Sequence, residues 1–137
     1  YDGTVFVQLL EKEIARSRFR GHRFSLMVVK VDEIVEEIIG TSKDVEGGQV
    51  GLLFEAVRSH LRPGDYVGQA NSDQLSVILP ETGQAEAARI CDRISTARLP
   101  GLDIVATAVG FPEDARDLET LVSRADKAIR TVRSGTI

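Results

Sequence analysis

Apolar and polar positions change rhythm along the chain, and each change marks an element. From Phe6 to Arg20 the apolar residues fall at 6, 7, 9, 10 and 14 with charges between them, which predicts a helix stopped by Gly21. Phe24 to Val31 reads FSLMVVKV, a nearly unbroken apolar run interrupted at Lys30, and predicts a central strand buried on both faces. Asp32 to Ile39 (DEIVEEII) reads as a short helix capped by Asp32, followed by a loop from Gly40 to Gly48. Gln49 to Leu61 predicts a second helix with Val50, Leu53, Phe54, Val57 and Leu61 on one face. Tyr66 to Gln69 and Gln74 to Leu79 flank the polar stretch Ala70-Asn71-Ser72-Asp73 as a hairpin. Pro80 and Gly83 break the chain before a helix from Gln84 to Arg98, whose apolar face is Ala87, Ile90, Ile94 and Ala97. A strand from Ile104 to Val109 and a helix from Leu118 to Val132 complete the order.

Helix, strand, helix, helix, hairpin, helix, strand, helix describes an α/β sandwich with a mostly antiparallel sheet, the ferredoxin-like arrangement with an extra helix pair. At 137 residues the chain suits one domain with one core, and no repeat or interdomain linker divides it. A hydrophobic fraction of 42% and a charged fraction of 28% exclude disordered and collagen-like classes. No apolar run reaches the ~20 residues of a membrane span, so a cytoplasmic setting is expected. The single cysteine, Cys91, excludes an internal disulfide and a cysteine-based metal cluster.

Net charge narrows the ligand class. Seventeen basic against 21 acidic residues give −4, which argues against a general nucleic-acid binder, and 5% aromatics argue against a base-stacking platform. A bound nucleotide should be small and held by a few placed arginines.

The sharpest local string is Arg62-Pro63-Gly64-Asp65 at a helix-to-strand junction. Pro63 suits the second position of a β-turn and Gly64 a third position at positive φ, which brings Arg62 and Asp65 together and points both side chains off one corner. A guanidinium can meet guanine O6 and N7 with two hydrogen bonds, and a carboxylate can accept from N1 and N2. Taken alone, the string reads more readily as a turn closed by a surface ion pair. Arg89 and Arg93, four apart on a helix, form a second basic group; Arg16, Arg18, Arg20 and Arg23 form a third. Either is by default a solvated face, and either would suit phosphate if it approached Arg62. The strand end Lys30-Val31-Asp32 and the turn at Asp73 could converge as a magnesium site, or Lys30 could pair with Asp73 instead. His22 and His60 have no ligand-spaced partner and receive no catalytic or metal role.

The strings SLMVVKVDEI, LRPGDYVGQANSDQLSVILP, VGFPED and SRADKAIRTVRSG, in this order and spacing, resemble the GGDEF domain, the diguanylate cyclase family, from Phe6 to about Gly135. The resemblance implies a nucleotidyl-cyclase-like fold and, in active members, the joining of two GTP molecules into cyclic di-GMP on a metal. It places a metal aspartate at Lys30, guanine-reading residues at Ile38 and Gly47, and the signature turn at Asn71, Ser72, Asp73 and Gln74. Lys30, Ile38, Gly47, Asn71, Ser72 and Gln74 depart from that pattern; Asp73, and Arg133 at a phosphate-binding lysine position, look like remnants. A pseudo-enzyme without catalytic residues, metal or cofactor is therefore expected.

The family's product-inhibition motif R-x-x-D falls on Arg62 and Asp65, with a further arginine at Arg93 and another, contributed by a neighbouring domain, at Arg16. The resemblance thus implies a regulatory domain that binds cyclic di-GMP as a stacked pair, with Arg16 clamping from a second protomer. It also implies flanking sensor or output domains in a longer signalling protein and a possible homodimer. A ligand-free dimerisation module and a residual cyclase or GTP-binding domain are the alternatives.

Overall fold

The computed structural model describes residues 2–34, 48–71, 74–96 and 102–131. Helix α1 spans Gly3–Arg20 and starts ahead of the predicted Phe6, because the Asp2 carboxylate accepts the Val5 N–H at 2.9 Å and caps it. It stops at Gly21, whose φ of 75° lets its N–H return to the Ser17 carbonyl. Strand β1 is Phe24–Ile34, helix α2 Gly48–Arg58, strands β2 and β3 Tyr66–Asn71 and Gln74–Pro80, helix α3 Gln84–Ser95, strand β4 Leu102–Phe111 and helix α4 Leu118–Thr131. Asp117 caps α4 through a 2.7 Å bond from the Thr120 N–H, which holds its carboxyl below the usual value.

The sheet order is β2-β3-β1-β4 and every pairing is antiparallel. This is the expected α/β sandwich. Alternation along β1 sends Met27 and Val29 to one face and Phe24, Leu26 and Val28 to the other, so the strand is buried on both sides as its apolar run predicts. On the first face α2 and α3 pack Leu53, Val57, Ala87, Cys91 and Ile94 against the sheet. On the second, α1 and α4 contribute Phe6, Leu10, Ile14, Leu121, Ala125 and Ile129. Among the described residues no helix is long and apolar enough to cross a membrane.

One predicted element is overturned in part. Asp32 does not cap a helix: Asp32, Glu33 and Ile34 continue β1, with Glu33 opposite Asp103 and Ile34 opposite Leu102 after a register shift at Val31. Pairing with β4 supplies hydrogen-bond partners for this backbone, and that long-range contact leaves no trace in the local period. Lys30 consequently sits inside the strand rather than at its end. The rest of the predicted 32–39 helix, residues 97–98 of the predicted 84–98 helix and residue 132 of the predicted last helix lie outside the described residues.

Gly68 on the edge strand β2 lies directly beneath Phe6 of α1. A Cβ built there would come within 2.4 Å of the Phe6 ring and 2.9 Å of the Phe6 Cβ. The helix can lie this close to the sheet because the strand has no side chain at that point.

Candidate functional site: an arginine-lined pocket at the end of the second helix

After α2 the chain tightens, with the His60 N–H bonded to the Val57 carbonyl at 2.9 Å and the Leu61 N–H to the Arg58 carbonyl at 3.2 Å. Leu61 packs against the first core layer and anchors the corner that follows. The Arg62–Asp65 turn is closed twice: the Asp65 N–H donates to the Arg62 carbonyl at 3.0 Å, and the Arg62 N–H donates to Asp65 Oδ2 at 2.8 Å. Gly64 is not at positive φ, contrary to the sequence expectation. The turn therefore does not require glycine, and a Cβ there would meet nothing within 4 Å. Gly64→Ala is expected to leave the fold intact and raise stability by about 0.5 kcal/mol through the unfolded chain's lost freedom, read by urea denaturation.

The two side chains of the corner part company. Arg62 is 53% exposed, while the Asp65 side chain is 2% exposed and turns inward. Pointing both side chains outward would leave the Arg62 amide without its acceptor, and that local hydrogen bond decides the outcome. Asp65 Oδ1 has no hydrogen-bond partner among the described residues and lies 3.9 Å from Arg62 Nη2. Burial pushes the Asp65 carboxyl up from its ordinary 3.8, against the lowering by the Arg62 N–H and by the Arg62 charge. A raised folded value means that this group's stabilising contribution is complete below pH 3.8 and is lost as pH rises through the folded value. Asp65→Asn keeps an acceptor for the Arg62 N–H. It should gain stability relative to the parent as pH is raised from 3.8 to 7, measured by chemical denaturation at each pH.

Arg62 Nη2 donates to the Pro80 carbonyl at 2.7 Å and to Thr82 Oγ1 at 2.5 Å. Between these acceptors Glu81 adopts φ 55°, a left-handed conformation that costs a non-glycine residue about 1 kcal/mol. Thr82 is buried, and its carbonyl accepts from Ser25 Oγ at 2.8 Å, which ties the end of β3 to the start of β1.

Helix α3 brings up the second basic group. Arg89 and Arg93 lie one turn apart, and together with His60, Arg62, Glu86 and Ile90 they line one open cavity of about 240 Å³. Neither Arg89 nor Arg93 has an ion-pair partner among the described residues. Three arginines and a single carboxylate, Glu86, thus line the hollow, a balance that favours a phosphate-bearing ligand. A second hollow of about 170 Å³ opens on the other sheet face, where Phe6, Val7, Leu26, Val28 and Val122 make it apolar.

The structure brings Arg62 and Arg93 together and adds Arg89, which the sequence singled out only as a helical neighbour of Arg93. The signal for Arg89 was the four-residue spacing; what was missing was the docking of α3 beside the corner. Asp65 stands behind Arg62 and does not line the cavity. Arg16 lies on α1, in the other layer, where it pairs with buried Glu13 at 3.4 Å; Glu13 is also 3.4 Å from His22 Nε2. Of the remaining basic residues near α1, Arg18 donates to the Arg116 carbonyl and Arg23 pairs with Glu113.

Lys30 pairs with Gln74 on β3 and with Val105 on β4, and Asn71 pairs with Gln74 across the hairpin. Lys30 lies two residues beyond Val28, on the face covered by α1 and α4. Ile38, Gly47, Ser72, Asp73 and Arg133 lie outside the described residues.

Four antiparallel strands with helices on both faces make up the nucleotidyl-cyclase-like α/β fold, and in this element order it is the fold of GGDEF domains. No protein-family model matches the sequence, and no curated protein does. Solved structures do match. The GGDEF domain of YfiN (TpbB) from Pseudomonas aeruginosa superposes with a TM-score of 0.83 at 22% identity, over 98% of this chain and 93% of that one. A diguanylate cyclase protein from Thermotoga maritima gives 0.73 at 22% identity, over 93% and 94%. A microbial GGDEF domain described in its interaction with cyclic di-GMP gives 0.74 at 19% identity, over 94% and 82%. At these identities the likeness establishes the fold.

Proposed function

We propose that this GGDEF-fold domain is a cyclic di-GMP receptor that does not cyclise GTP, and that it passes occupancy of the Arg62 pocket to domains attached to it. The observation that carries the reading is the convergence of Arg62, Arg89 and Arg93 on one open cavity. Each guanidinium can grip a phosphodiester or the O6 and N7 edge of a guanine through paired hydrogen bonds. Asp65 Oδ1, buried beside Arg62 and lacking a donor, is the acceptor for guanine N1 and N2 once the corner opens. Arg16, in the opposite layer of its own domain, contributes from a second protomer.

Loss of cyclase chemistry rests on residue identity. Lys30 puts an ammonium where the family carries a metal carboxylate, directly across from the amide of Gln74, and this reverses the local charge that a divalent ion requires. Asn71 and Ser72 replace the two glycines that in the family let the backbone approach phosphate. Calorimetric titration with cyclic di-GMP tests the reading and should give saturable heat. Silence in that titration would leave a ligand-free dimerisation module, and product formed from GTP with magnesium or manganese would restore a cyclase.

A further inference from the structure

We infer that His60 is a ligand-binding residue of the same pocket whose contribution exists only in its protonated form, so that the domain takes up a proton when it binds a phosphodiester dianion. The inference rests on the receptor reading above. His60 is fixed on the tightened turn after α2, is half-buried, and lines the cavity with the three arginines. The charged groups around it are Arg62 from its own turn and Glu86, Arg89 and Arg93 from α3. Asp65 is turned away behind Arg62, and Arg58 and Glu55 on α2 pair with each other at 3.2 Å.

Histidine is the side chain whose charge ordinarily changes between pH 5 and 8. In the empty pocket His60 shares the cavity with three arginines and one carboxylate, Glu86. A cyclic dinucleotide keeps two phosphodiester charges throughout this range. Seated in the cavity, it offsets the net charge of three arginines and Glu86 and favours the imidazolium. Binding and protonation then assist each other by the same factor, as linkage requires. Affinity therefore rises as pH falls, in a range where the arginines keep their charge.

The test is a titration of the 137-residue chain with cyclic di-GMP at pH 5.5, 6.5 and 8, each in two buffers of different ionisation heat. The parent should bind roughly tenfold tighter at pH 5.5 than at pH 8, about 1.4 kcal/mol of linkage between ligand and proton. Buffer-dependent heat should show proton uptake near pH 6.5. His60→Asn, which stays polar and neutral, should lose both effects, while His22→Asn, in the other layer, should keep them. Equal pH slopes in the parent and in His60→Asn, or a parent affinity flat with pH, would overturn the role of His60 and leave the receptor intact. An absence of binding at every pH would overturn both.

Discussion

Arg93→Ala should weaken cyclic di-GMP binding between tenfold and a hundredfold while leaving the melting temperature unchanged. A guanidinium that grips a purine edge with two hydrogen bonds contributes about 1–3 kcal/mol, and each 1.4 kcal/mol is about a tenfold change in affinity. Arg93 is exposed and has no ion-pair partner among the described residues, so its removal strands no buried group. Arg62→Ala should lose at least as much affinity but also some stability. Its Nη2 bonds to Pro80 and Thr82 disappear, and the buried Asp65 carboxylate loses its nearest positive charge. The pair of variants therefore separates binding from folding: full affinity in Arg93→Ala would remove the pocket from consideration, whatever Arg62→Ala shows. Calorimetry for affinity and thermal unfolding for stability are the two readouts.

Gly68→Ala should destabilise the fold by about 1–3 kcal/mol, the usual range for overpacking, without touching the pocket. The added methyl would stand 2.4 and 2.6 Å from Phe6 ring atoms and 2.9 Å from the Phe6 Cβ. A ring can turn aside from one atom, but the Cβ can move only if α1 moves. Phe6→Ala alone should cost about 3–5 kcal/mol as a cavity. Because the two changes relieve one another, the double variant should lose less than their sum, with a coupling on the order of 1 kcal/mol in a urea-denaturation cycle. Strict additivity would show that helix and strand are not pressed together at this point. Affinity for cyclic di-GMP, measured on the folded protein, should not change, since the pocket lies against the opposite face.

How much of the site is legible in the sequence depends on the range of the interactions that build it. Elements held by local signals appear as expected: Gly21 stops α1 in the left-handed region, and the apolar run from Phe24 gives a strand packed on both sides. The elements that moved are those decided by distant partners. Asp32 has the side chain of a good cap, yet it falls at the irregularity between Val31 and Glu33, both of which pair with β4. Asp65 has the charge of a surface ion pair, yet the amide three residues earlier claims its carboxylate. The arginine pairs on α1 and α3 look alike in sequence, and only the layering of helices shows that Arg89 and Arg93 join Arg62 while Arg16 does not. His60 gave no signal beyond its chemistry, because its neighbours in the cavity come from a helix that starts 24 residues later.

The burial of Cys91 beneath α3 has a practical side. Burial, with Asp92 adding to it, pushes the thiol up to about 12, so scarcely any nucleophilic thiolate exists at neutral pH. The chain is then silent toward maleimide dyes without any engineering. One cysteine introduced at the solvent-facing position of Phe19 would carry a fluorophore alone, and its emission would report on the helix end as nucleotide is added.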